Sequence, residues 1–396
     1  MRVLLFTGKG GVGKTTAAAA TAVHLAAAGV KVLVLSTDPA HSLADALGCA
    51  GRALGPDPVE LDGGLCALQV DTRRAVTQSW HAVQRWLVVA LEGVGLDPLE
   101  AEELTELPGA EEVLALLALR EQAVTGRWDV LVVDCAPTAQ TLRLLALPEA
   151  LAGYLRRAFP LERRLLARVR PVLGARSGLP TPGEGALDGV GRLVDALTEV
   201  RALLTQSGSV RLVLTPESVV VAESRRALTM LSLHGYRVDG VVANRVFPAE
   251  GADGWRAGWV QAQQARLAEV EASFAPLPVL LGPYAATEPV GPGALAAWAT
   301  SAYGDRDPLE PGPSAEPLTV ERTADGWALL LALPLAAPDE VDLVRRGDDL
   351  LVTVGAVRRV VSLPSALRRC TVEGARLREG RLRIAFVPDP ALWMTS

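Results

Sequence analysis

Six short and almost uninterrupted apolar runs punctuate the first three quarters of the chain, at 2–7, 31–36, 130–134, 210–215, 240–244 and 278–281. Runs of this length without polar alternation are strands covered on both faces, the mark of a parallel sheet between layers of helices. Helical stretches separate them. Residues 15–28 form an alanine-rich helix that Gly29 ends. Two longer stretches, roughly 75–125 and 142–206, show helical spacing at Leu114, Leu117 and Arg120, and again at Leu151, Tyr154, Leu155 and Phe159. They exceed an ordinary crossover, so part of them is expected to form a helical subdomain on one side of the sheet. The fold class predicted for 1–302 is α/β, a doubly wound and mainly parallel sheet.

The pattern changes after residue 302. The stretch 303–316 (YGDRDPLEPGPSAE) has proline, glycine and acidic residues without an apolar period, and reads as a linker. Beyond it apolar and polar residues alternate, most clearly where Leu382, Ile384 and Phe386 interleave with Arg381, Arg383 and Ala385. Such alternation is a half-buried strand. Strands are predicted at 327–333, 340–344, 349–354, 357–363 and 381–387, which makes 317–390 a small all-β sandwich.

Composition narrows the class. Of 396 residues 49% are hydrophobic and 21% charged, as in a folded protein. The net charge of −6 argues against non-specific nucleic-acid binding, which needs a basic face. Cys49, Cys66, Cys135 and Cys370 are scattered with no CxxC spacing, so neither a disulfide scaffold nor a zinc signature is present, and a reducing cytoplasm is the expected setting. The apolar start runs straight into a glycine loop, so no signal peptide is expected. Residues 17–35 are nearly all apolar, but Gly29 and Lys31 interrupt them, which predicts helix then strand rather than a membrane span.

The glycine loop carries the chemistry. Gly8-Lys9-Gly10-Gly11-Val12-Gly13-Lys14-Thr15, followed by Thr16, fits G-x-x-x-x-G-K-[ST] between a predicted strand and a predicted helix. In such a loop backbone N–H groups and the helix N-terminus face phosphates, Lys14 reaches the β/γ-phosphates and the Thr15 hydroxyl ligates Mg²⁺. Asp134, closing the strand VLVVD, is the candidate second group for that ion, through a coordinated water. Lys9 is surplus to a generic phosphate loop.

The runs K-G-G-V-G-K-T-T (9–16), S-T-D-P-A-H-S-L-A-D-A-L (36–47), D-C-A-P-T (134–138) and T-L-R-L-L-A-L-P (141–148) together resemble the ArsA-type ATPases. That family holds the arsenite-pump ATPase and the ATPase that targets tail-anchored membrane proteins. The resemblance covers about residues 1–300 and implies roles for single residues. Lys9 stands at the family's signature lysine, which reaches the partner's nucleotide in a face-to-face dimer. Asp38 stands at the switch I aspartate that positions the attacking water. Asn244 stands at the adenine-reading asparagine, with Pro216 and Glu217, and Glu288 and Pro289, on nucleotide-side loops. Switch II departs from the family's D-T-A-P-T-G-H-T, because Ala139 and Gln140 replace its glycine and histidine. Residues 318–388 resemble the α-crystallin, or small heat-shock protein, domain through L-A-L-P (331–334), R-G-D-D-L-L-V (346–352) and G-A-R-L-R-E-G-R-L-R-I (374–384), without an I-x-I tail.

On these resemblances the chain is expected to be a cytoplasmic, homodimeric Mg-ATPase with ATP and Mg²⁺ as ligands. Hydrolysis would expose or release an apolar surface for a client protein or a membrane-protein segment. No nucleic acid and no integral membrane span are expected. Two alternatives stay open. One is a nucleotide-gated scaffold or holdase with little turnover, its β domain holding clients. The other is an arsenite-pump subunit, which the scattered cysteines disfavour, as the single Met230 and the two terminal-region methionines disfavour a methionine-lined groove.

Overall fold

Val3, Leu4, Leu5 and Phe6 are almost wholly shielded from solvent, as a central parallel strand requires. The computed structural model describes residues 1–38, 42–49, 54–70, 110–158, 184–313 and 316–393. Its first eight strands are β1 (Arg2–Thr7), β2 (Val32–Ser36), β3 (Val59–Asp62), β4 (Leu65–Gln69), β5 (Val130–Asp134), β6 (Gly208–Leu214), β7 (Val238–Val246) and β8 (Val279–Pro283). They form one sheet in the order β3-β4-β2-β5-β1-β6-β7-β8. Every neighbouring pair is parallel except β3 with β4. The sheet is therefore mainly parallel α/β, as the apolar runs predict, with an added hairpin at one edge. The Gly63-Gly64 turn makes that hairpin, both glycines having positive φ.

Eight helices accompany the sheet among the described residues: α1 (Lys14–Ala27), α2 (Ser42–Ala46), α3 (Ala110–Val124), α4 (Thr138–Ala158), α5 (Glu184–Gln206), α6 (Ser218–Leu233), α7 (Gly254–Phe274) and α8 (Gly291–Tyr303). Ala17, Ala18, Ala19, Ala20 and Ala22 are fully buried, so α1 lies close against the strands and against α8. Small side chains permit that approach. Helices α3, α4 and α5 pack on one another. The remainder of the expected helical subdomain, 75–109 and 159–183, lies outside the described residues.

The stretch read as a linker is not free of the sheet. Tyr303 and Pro308 are buried, and Leu309 packs on the main core. The Arg211 guanidinium, buried in mid-strand, donates to Tyr303 Oη at 2.7 Å and to the carbonyl of Pro308. It also pairs with Asp239 at 3.3 Å. A polar anchor rather than an apolar period holds this strap, which is why the sequence pattern misses it.

The C-terminal part holds β9 (Leu318–Arg322), β10 (Trp327–Ala332), β11 (Val341–Arg346), β12 (Asp349–Val354), β13 (Val357–Ser362), β14 (Cys370–Arg378) and β15 (Arg381–Pro388). These make two antiparallel sheets, β14-β15-β10-β9 and β11-β12-β13. Leu329, Leu331, Ile384 and Phe386 of one sheet share a core with Leu350, Val352, Val354 and Val361 of the other. Leu233, the last residue of α6, is buried in that same core. Thr229 on α6 also donates to the carbonyl of Pro334 at 2.6 Å.

Candidate functional site

Parallel pairing brings the ends of several strands to one edge, where ligand sites form in sheets of this kind. Asp134 at the end of β5 pairs in register with Phe6 of β1 and with Ser36 of β2. The loop Gly8–Gly13 leaves β1 at this edge and enters α1. Gly8 must be glycine, since a Cβ there would collide with the carbonyl of Val213. Gly13 takes φ +93°, and its Cβ would collide with the Asn244 amide. Gly11 also has positive φ, while a Cβ at Gly10 or Gly11 would meet no protein atom within 4 Å. The concave side of the loop is thus kept clear up to the N-terminus of α1, whose N–H groups suit an anion.

Polar side chains converge behind the loop. Thr15 Oγ1 donates to Asp134 Oδ2 at 2.9 Å and lies 3.0 Å from Ser42 Oγ. Ser36 Oγ donates to the same Oδ2 at 3.2 Å. Asp134 is wholly buried, and its other oxygen, Oδ1, has no hydrogen-bond partner. Burial pushes the Asp134 carboxyl up to about 6; Asp38's charge adds to the rise, while the Thr15 and Ser36 hydroxyls and Lys14 oppose it. A buried carboxylate oxygen left unmatched is costly unless a cation meets it. Two oxygen types, hydroxyl and carboxylate, are the donors a hard divalent ion takes. These residues therefore fit Mg²⁺.

Lys14 is buried at the start of α1, and its Nζ donates to the carbonyl of Lys9 at 3.4 Å. Lys9 and Thr16 are half-buried. Asp38, just past β2, is held through its backbone: its N–H donates to Ser36 Oγ at 3.2 Å, and its carbonyl accepts from Gln69 Nε2 at 3.1 Å. His41 and the rest of 39–41 lie outside the described residues. Val12 is buried, and its carbonyl accepts from Asn244 Nδ2 at 2.8 Å. That bond pins the phosphate loop to β7. Pro216 is buried, and Glu217 is exposed immediately before α6, accepting from Thr215 Oγ1 at 3.2 Å. Glu288 is exposed and Pro289 half-buried in the loop before α8, and neither is hydrogen-bonded to the phosphate loop. Gln140 is exposed.

Sequence reasoning missed Ser36, Ser42 and Gln69. Ser36 had a legible signal, a lone hydroxyl closing the apolar run VLVLS at the register of Asp134. Gln69 had none, because it closes β4, an element the periodicity did not reveal. Cys135, next to Asp134, is fully buried, and burial pushes its thiol far above the usual range. Cys66 is raised by burial as well. Among the described residues no group of three or more His, Cys, Asp or Glu stands close enough to hold a metal ion. Nor is any described helix long and apolar enough to cross a membrane.

Comparison with known proteins gives two family matches, to the anion-transporting ATPases over residues 1–304 and to the HSP20-like domain found in ArsA over 324–386. A putative arsenical pump-driving ATPase of Prosthecochloris vibrioformis is 37% identical, with 98% of this chain and 96% of that protein aligned. An uncharacterised protein of Streptomyces coelicolor is 41% identical over 99% of both chains. The ATPase get3 of Aspergillus terreus is 28% identical over 64% of this chain and 76% of its own length.

Proposed function

The chain belongs to the ArsA anion-transporting ATPase family and carries its HSP20-like C-terminal domain, and from that premise we propose a Mg²⁺-dependent homodimeric switch acting on an apolar client. The observation that carries the reading is the buried Asp134 carboxylate, shared with the Thr15 hydroxyl behind an open phosphate loop.

Thr15 and Asp134 would hold Mg²⁺, which when bound neutralises charge on the phosphate oxygens. Lys14, pre-placed by burial, supplies a fixed cation to the phosphates. Asp38, anchored through Ser36 and Gln69, orients the attacking water and accepts its proton. Lys9 of one protomer reaches the nucleotide of the other, adding positive charge as the phosphoryl group leaves. Hydrolysis is then tied to dimer closure, and closure to the exposure of an apolar face on the helices beyond the sheet.

The relatives' names divide between arsenical pump-driving ATPase and ATPase get3. The thiols disfavour the pump reading here. Arsenite needs three sulfur ligands together, whereas Cys66 and Cys135 are buried and no group of three or more His, Cys, Asp or Glu converges among the described residues.

The test is ATP turnover by the purified chain with Mg²⁺, adding arsenite in one series and a hydrophobic peptide in another. Stimulation by the peptide, with none by arsenite, is expected. Stimulation by arsenite that disappears in Cys135→Ala would establish the pump reading instead. Lys9→Ala should weaken the dimer seen by light scattering with a transition-state analogue. An active monomer in both forms would remove the dimer from the mechanism.

A further inference from the structure

The C-terminal domain touches the ATPase through two different helices, and the contacts differ in kind. Its apolar contacts go to α6, through Leu233, Met230 and the Thr229–Pro334 hydrogen bond. Its ion pair, from a buried arginine to a half-buried glutamate, goes elsewhere. Arg359 on β13 donates through Nε to Glu149 Oε2 of α4 at 3.2 Å, and through Nη1 to the carbonyl of Leu233. Arg201 of α5 holds the same Oε2 at 2.7 Å.

Arg359 is out of place by the logic of its own domain. It pairs across the sheet with Val352, a fully buried core residue, so it occupies an inward register position where an apolar side chain is expected. A charge at such a position is costly unless a partner meets it. The partner is supplied by the ATPase, and by a helix that starts at the nucleotide edge.

That helix leads back to the site without a break. Glu149 stands about three turns, roughly 16 Å, beyond Thr138. Thr138 N–H donates to the carbonyl of Gly8 in the phosphate loop at 3.1 Å. Thr141 Oγ1 closes the turn on Ala136 O at 2.6 Å. The three residues between β5 and α4 follow Asp134 directly, and Cys135 N–H is held by Phe6 O at 3.0 Å. A shift of α4 therefore moves Asp134's neighbours and the Glu149 carboxylate together.

We propose that Arg359 is a positioning residue for ATP turnover, setting α4 through Glu149 so that docking of the C-terminal domain and the state of the nucleotide site bias one another. The inference rests on the family's nucleotide binding and on the proposed Asp134 role, not on the dimer or the client. Docking alone would need only the α6 contacts. Linkage requires the coupling to act in both directions.

The experiment compares full-length wild type with Arg359→Met, Arg359→Lys, Glu149→Gln, the Arg359→Met/Glu149→Gln pair, and Leu233→Ala, which loosens docking without touching the ion pair. Expected for Arg359→Met is a several-fold change in kcat with KM for ATP within twofold, partly restored in Arg359→Lys. The double variant should be no worse than the stronger single one, since both act through one contact. Amide exchange along β13 should change when ADP is added to wild type, and not when it is added to Arg359→Met. Leu233→Ala should leave kcat near wild type.

Unchanged kcat in Arg359→Met and Glu149→Gln, or additive effects, would overturn the proposal. So would a Leu233→Ala effect on kcat as large as that of Arg359→Met, because the domain would then act by docking alone. Should wild type itself fail to turn over, the ADP-dependent exchange still decides the coupling, and the failure counts against the Mg-ATPase mechanism alone.

Discussion

At the residue scale the site is defined by groups under electrostatic tension, and Asp134 is the clearest. Its carboxyl is raised from 3.8 to about 6 chiefly by burial. A group raised in the folded state favours folding below its unfolded value, and that contribution is lost as pH rises through the folded value. Taken by itself, this residue therefore contributes more stability to the metal-free protein at pH 4–5 than at pH 7, against the opposite contribution of His234. Asp134→Asn should remove that contribution alone and raise metal-free stability at pH 7 by on the order of 2 kcal/mol, while turnover is lost. Chemical denaturation at two pH values checks this; a less stable Asn variant at pH 7 would mean Asp134 is not the strained group. Asn244 gives a second test. Its amide pins Val12 and sits under Gly282, where a Cβ would approach Asn244 Oδ1 to 2.8 Å. As a pin, Asn244→Ala should weaken ATP and GTP binding alike, several-fold. Loss confined to ATP would make it the adenine reader that the family resemblance implies.

Among the elements, α6 joins both halves of the chain, and a titratable group caps its C-terminus. His234, following α6, is buried beside Arg359, Glu149 and Arg201, with Nδ1 unpartnered. Burial first, and Arg359 next, lower it from 6.5 to about 4, against Glu149's opposing pull and with Arg201 adding to the fall. A depressed base gives stability that is complete above pH 6.5 and is lost as pH falls toward 4. Wild type should lose on the order of 2–3 kcal/mol over that window through this group, and His234→Gln should lose less. Denaturation curves at pH 7.5, 5.5 and 4.5 measure it; identical slopes for both proteins would assign the loss to other groups. The same region shows what periodicity conveys. Six strands were legible, because a short uninterrupted apolar run between helical stretches has to be shielded; five are covered on both faces, while β8, at the sheet edge, leaves Leu281 exposed. The β3–β4 hairpin was not, being short and at the sheet edge. Nor were β9 and β14, whose mostly exposed residues do not alternate cleanly. Within the site, the phosphate loop and Asp134 were legible from spacing alone. Ser42 was not, because its closeness to Thr15 depends on where α2 folds back.

For the whole molecule, the question is where one folding unit stops. An exposed connection over 303–316 follows from composition, yet Arg211 is buried between Asp239, Tyr303 and the Pro308 carbonyl, and Tyr303 in turn meets Thr21 at 2.7 Å. Arg2 also reaches Asp239, at 3.3 Å. The strap thus closes over a buried cation at the middle of the main sheet. Two truncations separate the strap from the β domain. A chain ending at Pro313 keeps every partner of Arg211 and loses the contacts around Leu233 and Glu149 and the exposed Arg237–Glu316 pair, so it should fold and bind nucleotide with affinity close to that of the full chain. A chain ending at Gly304 keeps Tyr303 but leaves a buried guanidinium N–H without its carbonyl, and exposes the side of the core that Leu309 covers. An unmet buried donor costs about 1–3 kcal/mol, more when charged, so this shorter form should melt several degrees below the longer one. Equal melting temperatures would mean the strap is an ordinary linker after all. Loss of nucleotide binding in both would mean that the β domain, through α4, is needed to assemble the site itself rather than to tune it.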